Sequence, residues 1–149
     1  MAELAQLKAG DAGLNFAYPA PNGKTVKFED LRGKVVLIDV WATWCGPCKA
    51  EIPYLKKLEE EMKGTNLQIV SISVDEAKDK AKWAKMIKDE NLGGLQLFAS
   101  GWGDLAQYYK IKGIPRFMIF DKEGKIVTTD SPRPSNPELK TLLNKILQQ

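Results

Sequence analysis

A buried strand that runs directly into an amphipathic helix is the feature that most constrains the fold of this chain. The nearly continuous apolar run from Val35 to Trp41, interrupted only by Asp39, predicts a central strand buried on both faces. After Cys45, apolar residues recur at intervals of three and four, which predicts a helix with one apolar face. Pro53 lies within this pattern and should kink the helix about one turn after its start, because it removes a backbone hydrogen bond. A strand followed at once by a helix is typical of an α/β fold.

Strand and helix patterns alternate along the rest of the 149 residues, without a linker that would divide them. The predicted elements are a hairpin at 14–18 and 25–28, a strand at 67–74, a helix from 75 or 76 to 90, a strand at 95–99, a short helix at 104–109, a hairpin at 116–120 and 125–129, and a final helix from 137. This order predicts a single α/β domain over residues 1–149, built as a three-layer sandwich, with residues 1–9 as a flexible N-terminal extension.

Composition excludes several classes of protein. The chain has no histidine, which rules out Ser-His and Cys-His catalysis and every zinc site that uses imidazole. Its two cysteines are too few for an all-cysteine metal site within one chain, so no metal is expected. The net charge of only +3 argues against a nucleic-acid partner. No apolar run approaches the roughly 20 residues that span a bilayer, and no signal peptide or membrane anchor is recognisable in this chain, which does not settle its compartment.

The two cysteines, Cys45 and Cys48, flank Gly46 and Pro47 at the predicted start of the helix. A helix N-terminus offers unpaired N–H groups and a partial positive charge, both of which stabilise a thiolate. Cys45 stands at this end and is predicted to attack a disulfide, whereas Cys48 lies one turn further along and is predicted to resolve the mixed disulfide. A purely structural disulfide is the alternative, but so small a ring contributes only about 2 kcal/mol before strain. The motif therefore favours a redox-active disulfide, with no other cofactor.

Two carboxyl groups are candidates for proton transfer at this pair. Burial in an apolar strand should raise the pKa of Asp39, which suits a group that accepts a proton from Cys48 as that sulfur attacks. Glu51, three residues after Cys48, lies on the cysteine face by helical spacing, so that both carboxyls can couple to the thiols and titrate as one system. The alternatives are a strand-end aspartate satisfied by backbone donors and an exposed helix glutamate.

The segment from Ile38 to Lys49, with its Trp-Cys-Gly-Pro-Cys motif, resembles the active-site segment of the thioredoxin superfamily. The N-terminal hairpin, the additional helix and strand between Asp75 and Ala99, and the segments Gly113–Phe117 and Asp121–Lys125 resemble the TlpA/ResA/DsbE-like thiol-disulfide oxidoreductases, from about Gly10 to the end. The resemblance implies a thioredoxin-like fold with an N-terminal β-hairpin and a central helix–strand insertion. It also implies a location in the bacterial periplasm or cell envelope, and activity on disulfides of partner proteins.

The resemblance assigns roles to the two carboxyls. Asp39 matches the buried carboxylate that thioredoxins keep beneath the second cysteine, and Glu51 matches the active-site glutamate of ResA-like proteins. Thioredoxins often pair the buried acid with a lysine on the next strand. This sequence has Ser71 near the matching place, which puts that coupling in doubt.

The resemblance also implies a substrate-binding surface next to the cysteines. Its residues are Trp44, Gly46, Pro47, Ile114 and Pro115. Pro115 matches the cis-proline of the superfamily, which brings the backbone of the preceding residue to the site, where it can pair with a substrate strand. Arg116 replaces the threonine frequent at that place and either biases the groove toward acidic substrates or is an ordinary surface arginine. Trp102 either lines the groove or packs against the domain.

The leading hypothesis is a monomeric thiol-disulfide oxidoreductase that reduces disulfides in protein substrates and is itself reduced by an upstream thiol donor. A thiol peroxidase is a second hypothesis, because peroxiredoxins share the extended fold. Their Thr-x-x-Cys element is missing, since Thr43 lies only two residues before Cys45. A third is a module that binds partners through the dithiol without turnover.

Overall fold

The apolar run from Val35 to Trp41 forms the central strand of the structure, a computed structural model that describes residues 7–149. All residues of this strand are buried, as a strand covered on both faces must be. The strands are β1 (Ala17–Pro19), β2 (Thr25–Lys27), β3 (Val35–Trp41), β4 (Leu67–Ser73), β5 (Leu95–Phe98), β6 (Arg116–Phe120) and β7 (Ile126–Thr128). The helices are α1 (Gly46–Ala50), α2 (Ile52–Glu61), α3 (Lys80–Asp89), α4 (Gly103–Tyr109) and α5 (Pro137–Leu147).

The last five strands form one sheet in the order β5-β4-β3-β6-β7, while β1 and β2 form a separate antiparallel hairpin. Strands β3, β4 and β5 run parallel to one another, and β6 runs antiparallel to β3. The carboxyl ends of the three parallel strands and the start of β6 therefore meet at one edge of the sheet. The cysteine motif follows β3 at this edge, and Pro115 directly precedes β6 there.

Helices cover both faces of the sheet and bury two apolar clusters. Leu37 of β3 packs in one cluster with Leu58 of α2 and Leu143 of α5. Ile38, which points to the opposite face, belongs to the other cluster together with Trp83 of α3. The predicted three-layer α/β sandwich is therefore confirmed.

The N-terminal hairpin is shorter than its sequence predicts. The residues before β1 pair instead with the turn between β6 and β7, since Ala12 forms a β-bridge with Lys125 and the amide of Gly13 donates to the carbonyl of Gly124. Only glycine fits at position 13, because a Cβ there would lie 2.7 Å from the ring of Phe28. The amide of Phe28 still donates to the carbonyl of Phe16 over 3.0 Å, so the chain leaves the hairpin only before Phe16.

The helix predicted from residue 75 or 76 is wrong at its start. Helix α3 begins at Lys80, after a 3-10 turn over Ala77–Asp79. The physical reason is that the carboxylate of Asp75 binds the loop before the cysteines, as described below, and the chain remains extended at Glu76.

The N-terminal extension predicted for residues 1–9 lies largely outside the described residues. Within the described part, Leu7 packs against the core and the amide of Lys8 donates to the side chain of Asp11. Among residues 7–149, no helix has the length and apolar character needed to cross a membrane.

Candidate active site

The cysteine pair lies where the chain leaves β3 and enters α1. Cys45 is the N-cap of α1 and forms a disulfide with Cys48, with 5.3 Å between their Cα atoms. The amide of Cys48 donates to the Sγ of Cys45 over 3.2 Å, so a backbone donor of the first helical turn points at this sulfur. Pro47 occupies the first turn, where its missing N–H costs no helical hydrogen bond. The predicted position of Cys45 at a helix N-terminus is therefore confirmed.

The helix after the motif is interrupted at Glu51, two residues before Pro53. Helix α1 ends at Ala50 and α2 begins at Ile52, which confirms the kink expected from the sequence. The break arises because Pro53 has no amide to donate to the carbonyl of Lys49, and its ring would clash with that carbonyl. The interruption places Glu51 at the junction of the two helices.

Asp39 lies in the centre of the sheet, and the same cavity exposes its side chain and that of Cys48. The pKa of Asp39 is raised from 3.8 to about 7, mainly by burial and in smaller part by the charge of Glu51, while a hydrogen bond from Ser71 opposes the shift. The Ser71 hydroxyl donates to Oδ2 of Asp39 over 3.0 Å. The serine thus occupies the register position beside the acid, on the adjacent strand, where a lysine is frequent in thioredoxins. The predicted rise in the pKa of Asp39 is confirmed.

Glu51 is buried rather than exposed, and its carboxylate is held by the loop before α5. The amide of Ser135 donates to Oε1 of Glu51 over 2.9 Å, and the Ser135 hydroxyl donates to Oε2 over 2.8 Å. Its charge contributes to the raised pKa of Asp39, and the coupling of the two carboxyls to the thiols stays a prediction. The contact with Ser135 joins residues 84 positions apart in the chain, and no local sequence signal indicates it.

Asp75 is a residue of this site that the sequence analysis assigned only to a helix start. It is fully buried after β4, and its carboxylate accepts hydrogen bonds from the amide of Thr43 at 3.0 Å and the Thr43 hydroxyl at 2.7 Å. The hydroxyl of Ser73 also donates to it, over 2.6 Å. Asp75 therefore ties the loop immediately before Cys45 to the end of the neighbouring strand. The sequence signal that could have identified Asp75 is its position just after the end of β4, the strand that runs parallel to β3.

The residues assigned to the substrate-binding surface border the same edge of the sheet. Trp44 is 58% exposed beside Cys45, Gly46 and Pro47 are also exposed, and the Ile114–Pro115 peptide bond is cis. These features match the arrangement that the resemblance implies. Trp41, by contrast, is only 3% exposed and belongs to the core, as expected.

The sequence left the roles of Arg116 and Trp102 open. Nη1 of Arg116 donates to the carbonyl of Thr129 over 3.0 Å, which fixes the guanidinium against the residue that follows β7. Trp102 is 38% exposed and lines a shallow depression with Ile111 and Lys112.

The fold and the site together define a protein of the thioredoxin superfamily with a redox-active cysteine pair at a helix N-terminus. Among residues 7–149, no group of three or more His, Cys, Asp or Glu side chains is arranged to hold a metal ion.

Comparison with known proteins narrows this class. The Redoxin family model matches residues 8–146, and the chain therefore belongs to the Redoxin family. It is 27% identical over 141 residues to a thiol-disulfide oxidoreductase ResA from Bacillus thuringiensis subsp. konkukian, which covers 95% of this chain and 80% of the relative. It is 51% identical over 129 residues to the ResA of Oceanobacillus iheyensis, with 84% of this chain and 64% of the relative covered.

Solved structures agree with these relatives. The thioredoxin domain of a thiol-disulfide oxidoreductase from Bacteroides vulgatus has a TM-score of 0.82 and 28% identity, over 95% of this chain and 99% of that one. A thiol:disulfide interchange protein from Bacteroides sp. has a TM-score of 0.83 and 27% identity, over 96% of this chain and 92% of that one. The protein is thus a thiol-disulfide oxidoreductase that acts by dithiol–disulfide exchange on protein disulfides.

Proposed function

We propose that the protein is a reductase of protein disulfides, in which Cys45 attacks and Cys48 resolves. The observation that carries this direction is the buried carboxyl of Asp39 beside Cys48, with Glu51 buried behind it. A strong oxidant stabilises its dithiol form by stabilising a thiolate. Buried carboxyls oppose a nearby negative sulfur, so this site favours the disulfide state and hence the transfer of electrons to a substrate.

Each step of the exchange has an assigned group. The thiolate of Cys45 attacks one sulfur of the substrate disulfide, and the other substrate sulfur leaves as a thiolate. Asp39 then accepts the proton of Cys48, and the resulting thiolate attacks Sγ of Cys45 and releases the second substrate sulfur. The protein is left with the Cys45–Cys48 disulfide, which an upstream thiol donor reduces again. Glu51 is proposed to tune Asp39 through its charge.

The substrate is proposed to bind along the edge formed by Trp44, Gly46, Pro47, Ile114 and Pro115. The Ile114–Pro115 bond is cis, which supports a role for the backbone of Ile114 in pairing with an extended segment of a substrate protein. We further propose that the protein acts as a monomer in the bacterial periplasm or cell envelope, a location supported by its similarity to ResA proteins. Fractionation of the native host with an antibody tests the location.

The reduction potential of the Cys45–Cys48 pair tests the direction of electron flow. The protein is equilibrated with mixtures of oxidised and reduced dithiothreitol or glutathione, and the redox state is followed by tryptophan fluorescence, because Trp44 adjoins the pair. A potential near or below about −270 mV supports a reductase, and a potential near about −120 mV overturns the proposed direction.

One variant controls this measurement. Trp44→Phe removes the reporter and should abolish most of the fluorescence change. The potential of this variant, measured by thiol alkylation, should stay within a few tens of millivolts of the wild-type value.

A trapping experiment tests the roles of the two cysteines. Cys48→Ser should trap a mixed disulfide between Cys45 and a substrate protein. A mixed disulfide that forms through Cys48 in the Cys45→Ser variant, and not through Cys45 in Cys48→Ser, would reverse the roles of the two cysteines.

A further inference from the structure

A narrow cavity leads from the cysteine pair to the surface at the β5 edge of the sheet. Asp39 and Cys48 line its inner part, and Gln96 of the edge strand β5 lines its far side. Lys56 of α2 and Gly93, both exposed, lie at its outer end. The cavity therefore reaches the proton-accepting carboxyl from the side of α2 and β5, away from the exposed Trp44.

Polar side chains line up across the sheet along this cavity. Asp39 is paired in register with Ser71 of β4, and Ser71 is paired in register with Gln96 of β5. Residues in register on adjacent strands place their side chains on the same face of a sheet. All three line the cavity, and Ser71 already donates to Asp39 over 3.0 Å. The row leads from the centre of the sheet to its edge.

Two buried polar atoms of the cavity-lining residues are left without a protein partner. Within residues 7–149, neither Oε1 of Gln96 nor Nε1 of Trp41 has a hydrogen-bond partner. The amide of Gln96 is fixed by its other end, because Nε2 donates to the carbonyl of Gly93 over 2.8 Å. A buried acceptor and a buried donor that face no protein group are normally satisfied by water.

The cavity is large enough for that water. The centre of a water molecule can move through about 30 Å³ of it, and roughly 10–15 Å³ suffices for one bound molecule. Acceptor and donor atoms of Asp39, Ser71, Gln96 and Trp41 supply the two to four partners that a buried water requires.

We propose that this cavity is a hydrated proton path, in which water held by Gln96 connects Asp39 to solvent at the Lys56 end. The inference rests on the proposed function, because it concerns the proton that Asp39 takes from Cys48. In the resolving step the S–H bond of Cys48 breaks and an O–H bond forms on Asp39. The carboxylic acid then passes the proton to cavity water, and the carboxylate is restored, while the released substrate thiolate takes a proton from bulk water. Gln96 is a positioning residue in this scheme, since it acts through the water.

The path keeps this proton away from the docked substrate. Trp44 and the cis-proline edge are covered when a substrate protein binds, whereas the outer end of the cavity lies between α2 and the segment before β5. The titratable groups around Asp39 are Cys48 of α1, Glu51 at the helix junction, and Lys56 and Glu59 of α2. The wall contributed by β4 and β5 consists of Ile69, Ser71 and Gln96 and carries no charge.

Single-turnover reaction of the reduced protein with 5,5′-dithiobis-(2-nitrobenzoic acid) tests the proposal. The first coloured thiolate reports attack by Cys45, and the second reports resolution by Cys48. Gln96→Leu should leave the first phase unchanged, slow the second about tenfold at pH 7, and move the pH midpoint of the second phase upward, because a carboxylate without water ionises less readily. The matched control is Gln68→Leu, the same change on β4 outside the cavity.

The outcomes separate the proposal from the function on which it rests. If the second phase has the same rate and the same pH midpoint in Gln96→Leu as in Gln68→Leu, the water path is overturned and the reductase mechanism is not affected. A wild-type protein that releases no second thiolate would overturn both. If Gln96→Leu does not fold, magnetisation transfer between water and the indole N–H of Trp41 in the wild-type protein tests whether the cavity holds water. A signal from a long-lived water next to this N–H supports the path, and the absence of such a signal contradicts it.

Discussion

The proposed role of Asp39 in proton transfer depends on the residues around it, because they raise its pKa. An aspartate in water would be ionised at neutral pH, but burial in the sheet and the charge of Glu51 bring its pKa to about 7. A group with this pKa can accept and return a proton under physiological conditions, a task for which the chain has no histidine.

Replacement of Asp39 by asparagine removes the proposed proton acceptor and keeps the shape of the side chain. We expect the resolving step to slow by roughly 100-fold or more at pH 7, while attack by Cys45 changes little, because general-base catalysis contributes on that scale. The two phases of the chromogenic disulfide reaction measure both rates in one experiment. The matched control is Asp89→Asn, the same change at an exposed position of α3. A resolving rate in Asp39→Asn equal to that of the control would exclude Asp39 as the base.

At the scale of elements, the ends of β3 and β4 are held together by one carboxylate. Asp75 accepts two hydrogen bonds from Thr43 in the loop that leads to Cys45, and a third from Ser73 on its own strand. The same contact explains why the helix predicted from residue 75 or 76 begins later. Because the carboxylate of Asp75 is hydrogen-bonded to a neighbouring loop, the backbone next to it stays extended. The sequence pattern alone does not reveal those hydrogen bonds.

Loss of this contact should destabilise the domain. Asp75→Ala leaves the buried hydroxyl of Ser73 and the partly buried donors of Thr43 without their acceptor, and we expect the free energy of unfolding of the oxidised protein to fall by about 3 kcal/mol or more. Thr43→Val removes a single hydroxyl and should cost about 1.5 kcal/mol. Urea unfolding followed by circular dichroism measures both. Glu76→Ala, at the exposed neighbouring position, should change little, and an effect of Glu76→Ala equal to that of Asp75→Ala would contradict the assignment.

The helix junction shows what local sequence does and does not predict. The break before Pro53 follows from the missing amide of proline, so sequence alone predicts it. The burial of Glu51 does not follow from helical spacing, because it depends on Ser135, a residue that reaches the junction only in the folded chain. In the same way, the row of Asp39 and Gln96 across the sheet depends on strand order and register. The periodicity of apolar residues predicts the helices, the strands and their buried faces. The hydrogen bonds and burial of the site residues depend instead on contacts between segments that are distant in the sequence.

At the scale of the whole molecule, the buried carboxyl couples stability to pH. The pKa of Asp39 is raised from 3.8 to about 7 on folding, so the folded protein binds the proton more tightly than the unfolded chain does. Its contribution to stability is therefore fully present below pH about 4 and is lost as the pH rises through about 7. Above pH 7 the folded protein carries a buried carboxylate, at an upper cost of roughly 4 kcal/mol relative to low pH.

Comparison of the oxidised wild-type protein with oxidised Asp39→Asn isolates this contribution, because the disulfide removes the titration of both thiols. The variant cannot ionise at position 39, so its stability relative to wild type should rise steadily between pH 4 and pH 7 and stay constant above. Urea unfolding at several pH values measures the difference, and charged groups elsewhere cancel because both proteins share them. A difference that is independent of pH would mean that Asp39 titrates in the folded protein as it does in the unfolded chain, and the carboxylate would then be too weak a base at neutral pH to take the proton of Cys48 efficiently.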